Sequence, residues 1–217
     1  MREKLILFPF NGNALEALDA IQSEDDRYEV LGFVDDSKDK IGKDAFGLKV
    51  FDRTLFAEHP TARVLAVPGS PESFRHRKEI LAGLTLTSER YATIIHPKAQ
   101  VSPLARIGKN VLILAGAIIT SNATIGDHVC ILPQTVVHHD VTIGDYSLIG
   151  SYVVLSGNTT LEENVYVGSG SCVKGGVRVG RQALVGMGSI VIKNVDAATV
   201  VVGNPAKPLR SKTPGAP

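Results

Sequence analysis

Six histidines and two cysteines are the side chains of this 217-residue sequence best suited to proton transfer, metal binding or nucleophilic attack. Four of the histidines have ordinary settings. His59 precedes a proline in a loop-like stretch, His76 lies between Arg75 and Arg77, His96 precedes Pro97, and His128 stands at a turn. His138 and His139 differ, because they run straight into an acid as Val137-His138-His139-Asp140. A carboxylate beside an imidazole fixes the ring and stabilises its protonated form, which is what a general base requires. His139 with Asp140 is therefore the candidate for proton abstraction, and His138 reads as structural or auxiliary. No metal is assigned, since adjacent histidines rarely share one ion with good geometry. Cys130 and Cys172 read as partly buried thiols of a reducing cytosol rather than a disulfide.

The elements that must position these residues are written in a period of six. From Val101 to Val191 every sixth residue is aliphatic, and the residue two places before each is small or β-branched, as in Ala105, Val111, Ala117, Thr135 and Ser147. A period of six fits neither a helix at 3.6 nor a flat strand at two. It marks a solenoid of short parallel strands, in which three hexapeptides close one rung and residues eighteen apart stack in a column. Three places after each inward aliphatic comes a corner position that runs from Asn110, Gly116 and Asn122 through His128, Gln134, Asp140, Tyr146 and Tyr152 to Gly188 and Asn194. Asn and Gly dominate it because they tolerate the left-handed backbone of a sharp corner. His139 then points away from the core, in a column with Ser121, Gly157 and Gly175. Small neighbours there leave room for a slender ligand running along the axis. Neither cysteine shares that column, which disfavours a covalent intermediate.

Before residue 95 the hexad is absent. Strand-like segments at 4–8, 28–34 and 63–67 alternate with helix-like spacing at 13–21 and from Glu72 to Leu81. Such alternation implies a small parallel sheet of nucleotide-binding topology, with ligands beyond the carboxyl ends of its strands. That places Asn11, Gly12 and Asn13, Asp35 and Asp36, and Gly69 and Ser70 around one crevice. No G-x-G-x-x-G occurs, so a dinucleotide is not expected. A net charge of +1 gives no field for nucleic acid or anionic membrane, no apolar run approaches the roughly 20 residues of a membrane span, and the N-terminus lacks the marks of a secretion signal.

The chain resembles the bacterial nucleotide-sugar and sialic-acid acetyltransferases of the left-handed β-helix superfamily. The resemblance rests on Gly32-Phe33-Val34-Asp35-Asp36, the junction from Ile95 to Ser102, the hexads, the run His138 to Asp145, and the closing Val202 to Leu209. It implies an α/β sugar-nucleotide-binding domain over 1–94 and a left-handed β-helix over 95–210, and the Ser-Lys-Thr-Pro-Gly-Ala-Pro stretch at 211–217 reads as a disordered tail. It implies a cytoplasmic homotrimer with active sites between subunits, and direct transfer from acetyl-CoA to the amine of a nucleotide-linked 4-amino-4,6-dideoxy sugar. His139 would be the general base and Asp140 its partner. Acetyl-CoA contacts fall on Gly157, Ser169 and Met187, with backbone N–H groups near Gly157 facing the oxyanion, and sugar-nucleotide contacts fall on the crevice residues above. The family's first loop is roughly Gly-x-Gly-Gly, whereas here it reads Pro9-Phe10-Asn11-Gly12-Asn13, and a histidine that some members carry near the acetyl group is Leu148. Transfer to a sugar hydroxyl, as on sialic acid, and a non-catalytic scaffold are the competing readings.

Overall fold

The computed structural model describes residues 2–24 and 27–209, so the tail at 211–217 lies outside the described residues. In chain order the first elements are β1 (Glu3–Phe8), α1 (Gly12–Glu24), β2 (Tyr28–Val34), β3 (Asp44–Ala45), β4 (Leu48–Phe51), α2 (Thr54–Glu58) and β5 (Arg63–Ala66). They build a five-stranded sheet in the order β3-β4-β2-β1-β5, parallel except for edge strand β3. Central β1 is buried on both faces, Leu5 and Leu7 in one core and Ile6 and Phe8 in another, which explains its unbroken apolar run. The β3–β4 hairpin and α2 are too short to leave a periodic signal in the sequence. The helix expected from Glu72 is shorter too: a 3-10 turn at Phe74–His76 leads into α3 (Arg77–Ala82). Ser70 explains the delay, because its hydroxyl bonds the Glu72 carboxylate and its N–H donates to Ser73 Oγ at 3.0 Å. Such local side-chain bonds compete with helix formation.

From Ile94 the chain coils into a left-handed parallel β-helix with three faces. Face A carries Ile94–Ile95, Leu112–Ile113, Cys130–Ile131, Leu148–Ile149, Tyr166–Val167, Leu184–Val185 and Val200–Val202. Face B carries Gln100–Val101, Ile118–Ile119, Val136–Val137, Val154–Leu155, Cys172–Val173 and Ile190–Val191. Face C carries Arg106–Ile107, Thr124–Ile125, Thr142–Ile143, Thr160–Leu161 and Arg178–Val179. Partners in each face are eighteen residues apart, as in Ile119↔Val137 and Ile131↔Ile149. The inward aliphatics from Ile113 to Val191 form one continuous core, each worth about 1.5–3 kcal/mol in transfer terms. Inward hydroxyls are satisfied one rung on: Thr135 Oγ1 donates to Gly150 O at 2.7 Å and Ser171 Oγ to Gly186 O at 2.9 Å.

The expected corner positions adopt φ near +60°, from Asn110 (+55°) through Asp140 (+60°) to Gly188 (+66°). Asn194 is the exception. After Val191 the rung shortens, so Val195 bridges Val179 sixteen residues back and Asn194 Oδ1 instead accepts from Arg178 N at 2.9 Å. The three faces differ outwardly. Face A is sealed by the N-terminal sheet, leaving Leu112 and Cys130 at 0% exposure and Leu148 at 6%. Face C shows Arg106, Thr124, Thr142, Thr160 and Arg178 to solvent. Face B presents Ile118, Val136, Val154, Cys172 and Ile190 as an apolar surface of half-exposed side chains.

Candidate functional site

The corner between faces B and C holds His139. The turn after Val137 swings its ring outward, and Asp140 follows in the left-handed region at φ +60°. His139 Nδ1 lies 2.8 Å from Asp140 Oδ2, and Asn122 Nδ2, one rung back, donates to Asp140 Oδ1 at 3.3 Å. These two hydrogen bonds, His139 first, hold the Asp140 carboxyl below its ordinary range. A carboxylate can only accept, so Nδ1 carries a proton, and in the neutral ring the lone pair is on Nε2. The ring edge lies over Gly157, where a Cβ would sit 2.6 Å from both Cε1 and Nε2. Position 157 is therefore glycine to clear the imidazole. The arrangement can take a proton at Nε2 while Asp140 steadies the cation.

The N-terminal loops converge on a separate cleft of about 100 Å³ lined by Asn13, Gly69, Ser70, Pro71, Leu132, Leu148, Ile149, Gly150 and Tyr166. Asn13, Gly69 and Ser70 are thus brought together against face A. Asn11 stands behind them as the N-cap of α1: its Oδ1 accepts from Ala14 N at 2.9 Å and its Nδ2 donates to Val67 O at 3.1 Å. Gly12 faces open space, with no atom within 4 Å of where a Cβ would stand. Asp35, only 3% exposed, has both oxygens engaged. They accept from Phe10 N (3.0 Å), Lys40 Nζ (3.0 Å) and Ser37 N (2.8 Å), so this carboxylate shapes the Pro9–Asn13 loop. Asp36 is paired with Arg53 at 2.6 and 2.8 Å and does not line the cleft.

Ser169 and Met187 share the corner between faces A and B, where Ser169 Oγ accepts from Ser151 N at 3.1 Å and Met187 is 76% exposed. Cleft, Ser169 and Met187 therefore border one edge of face B, while His139 and Gly157 border the other. One chain does not bring the two groups together. Cys130 lies buried under the N-terminal sheet, where desolvation pushes its thiol up to about 12, and Cys172 sits on face B, both free. Among the described residues, no three His, Cys, Asp or Glu side chains are grouped to hold a metal ion. No described helix is long and apolar enough to cross a membrane.

The third corner, between faces C and A, carries residues that the sequence marked only as turn formers. Asn110 Oδ1 accepts from Ala66 N and its Nδ2 donates to Ala66 O, both at 2.7 Å. His128 Nδ1 lies 2.9 Å from the same Asn110 amide, and its ring stacks on Tyr146 at 4.9 Å. Asn164 Nδ2 donates to Arg75 O at 3.1 Å. A left-handed corner column thus doubles as the docking edge of the N-terminal domain.

The bacterial transferase hexapeptide family (six repeats) matches residues 104–137 and 122–157. This is a left-handed β-helix protein of the hexapeptide-repeat kind. A search of curated protein sequences found no significant match. Among solved structures, this hexapeptide-repeat protein is similar to PerB from Caulobacter crescentus, determined with CoA and GDP-perosamine, at 25% identity over 97% of this chain and 98% of that one, with a TM-score of 0.81. It is similar to the acetyltransferase domain of PglB from Neisseria gonorrhoeae, determined with acetyl coenzyme A, at 26% identity over 96% and 100%, TM-score 0.83. WeeI from Acinetobacter baumannii shares the fold at 24% identity over 96% and 100%, TM-score 0.79.

Proposed function

We propose that this protein transfers an acetyl group from acetyl-CoA to the amine of a nucleotide-linked amino sugar of the 4-amino-4,6-dideoxy kind, for surface polysaccharide or glycan synthesis. The observation that carries the role of His139 is its geometry: Nδ1 held by Asp140 at 2.8 Å, and Nε2 aimed across a position kept free of any side chain. Nε2 takes a proton from the sugar amine as its nitrogen attacks the thioester carbonyl. The tetrahedral oxyanion is met by backbone N–H groups near Gly157. Collapse breaks the carbon–sulfur bond, and the thiolate of CoA leaves with the proton returned through His139. PerB, a neighbour over nearly the whole chain, was determined with CoA and GDP-perosamine, which supports the substrate class.

The working unit in this reading is a cytoplasmic homotrimer with sites between subunits. Two observations support it. Face B is the apolar face the chain leaves bare, and it lies between the corner holding His139 and the corner holding the cleft, Ser169 and Met187. Packing face B of one copy near that of the next would let His139 of one subunit approach the cleft of its neighbour. Gly157, Ser169 and Met187 then contact acetyl-CoA, Asn13, Gly69 and Ser70 contact the sugar nucleotide, and Asn11, Gly12, Asp35 and Asp36 shape its loops.

The test is thiol release from acetyl-CoA with GDP-, UDP- and dTDP-linked 4-amino-4,6-dideoxyhexoses, beside free sialic acid. Turnover on one amino sugar is expected, falling about 10²–10⁴-fold in His139→Ala with acetyl-CoA binding retained. Near-normal turnover in that variant would remove His139 as the base. Silence on every amine with turnover on sialic acid would move the acceptor to a hydroxyl, and silence throughout would leave a scaffold.

A further inference from the structure

The last backbone groups before the cleft loop are held one after another. Asn110 of the β-helix takes both the N–H and the C=O of Ala66 at 2.7 Å. Asn11, the α1 cap, takes Val67 O at 3.1 Å, and Val67 N donates to Phe8 O at 2.6 Å. Pro68 O accepts from the guanidinium of Arg77. Gly69 and Ser70, the next two residues, form the wall of the cleft.

Arg77 is the unusual member of this series. Among the described residues it is the largest fully buried side chain, at 0% exposure, and it has no carboxylate partner. Its three nitrogens donate to three backbone carbonyls: Nε to Tyr146 O at 2.8 Å, one Nη to Pro68 O, the other to His128 O. Two of those carbonyls belong to successive rungs of the β-helix corner and one to the loop. The chain of Arg77 also touches the loop directly, since a Cβ on Gly69 would meet its Cδ and Cγ at 3.1 Å. Gly69 has φ +118°, a conformation side chains rarely adopt. A buried guanidinium is costly to desolvate, and burial lowers its pKa to about 10. Apolar packing of α3 would need no such group. A planar fork of donors spanning three separated carbonyls fixes distance and angle between the loop and the helix in a way no lysine or methionine does.

We infer that Arg77 is a positioning residue for substrate, fixing the Gly69–Ser70 wall of the cleft at a set height above face A of the β-helix. The inference rests on the proposed sugar-nucleotide role of that cleft. It assigns Arg77 to nucleotide-sugar affinity and leaves the acetyl donor and the chemical step to other residues.

The experiment compares wild type, Arg77→Lys, Arg77→Met and Gly69→Ala by amide hydrogen exchange and by initial rates with acetyl-CoA and the GDP-, UDP- and dTDP-linked 4-amino-4,6-dideoxyhexoses. Gly69→Ala disturbs the wall from the loop side, against Arg77, against Leu148 and through its own φ, so Arg77→Lys is the variant that reads the contact if the methionine variant does not fold. Expected is a rise of about tenfold in exchange confined to residues 67–74, with KM for the amino-sugar nucleotide up about tenfold and with kcat and the KM for acetyl-CoA within about twofold. Arg77→Lys falls between wild type and Arg77→Met. A uniform rise in exchange across the β-helix, or kcat falling while both KM values hold, overturns the positioning role and leaves Arg77 as a stabiliser of the domain junction. If wild type acetylates none of the amino sugars, the proposed function fails. The exchange pattern still decides whether Arg77 holds the loop.

Discussion

A methyl group at position 157 would sit 2.6 Å from Cε1 and Nε2 of His139, well inside van der Waals contact. The backbone there is not in the left-handed region, and the three atoms nearest an added Cβ all belong to the imidazole, so Gly157→Ala acts first on that ring. The variant is expected to fold with an unchanged melting temperature and to lose turnover about as far as a misplaced base does, on the order of 10²-fold. Steady-state rates beside a thermal melt check this, and full activity would separate Gly157 from the ring. The pairing of His139 with Asp140 was legible in the sequence because the two are adjacent. The eighteen-residue column put Gly157 beside His139 as room for a ligand, but that the ring itself lies over this position comes from the fold. Asp35 was legible only as an acid at the end of a strand. That its oxygens are occupied by Phe10 N, Ser37 N and Lys40 follows from how the loop after β1 folds back, which no local pattern encodes.

At the scale of elements, the hexad announced the β-helix because each repeat answers to its own core position, so the period survives any surface variation. Docking of the N-terminal sheet was not announced. It depends on Asn110, His128, Tyr146 and Asn164, residues whose side chains reach sideways from corners that the period explains by backbone conformation alone. His128 gives that joint a pH dependence. Burial first, with Arg77 adding, lowers its pKa from 6.5, while Asp127 and Asp145 oppose. Its Nδ1 faces the Asn110 amide. Above the ordinary value both folded and unfolded chains hold it neutral. As pH falls through about 6.5 the unfolded chain takes up a proton that the folded chain refuses, so stability drops with acid until the lower folded-state value is passed. His128→Asn keeps a residue that tolerates the corner and removes the titration. Its stability deficit against wild type, from urea midpoints, is expected to narrow as pH goes from about 7.5 to about 5.5. A deficit that holds constant would remove His128 from the joint's response.

For the whole molecule, the three faces divide the work. Face A is spent on the N-terminal domain, face C meets water through threonine and arginine, and face B is left apolar. Ile118 is the outermost of its aliphatics at 37% exposure. Ile118→Asp puts a charge into the face without touching the inward core. Light scattering is expected to show wild type at about three times the 23.1 kDa chain mass and the variant shifted toward a single chain with activity lost. A variant that stays assembled and active would place the subunit contact elsewhere.

The separation of His139 from the cleft by the width of face B has a genetic consequence. If each centre draws its imidazole from one copy and its cleft from the next, a fault in either half can be masked by a healthy neighbour. His139→Ala and a cleft-plugging Asn13→Trp, each inert alone, would regain about a quarter of wild-type turnover when co-expressed, since every mixed ring contains one centre with both intact halves. Two dead alleles would then behave in one cell as a living gene.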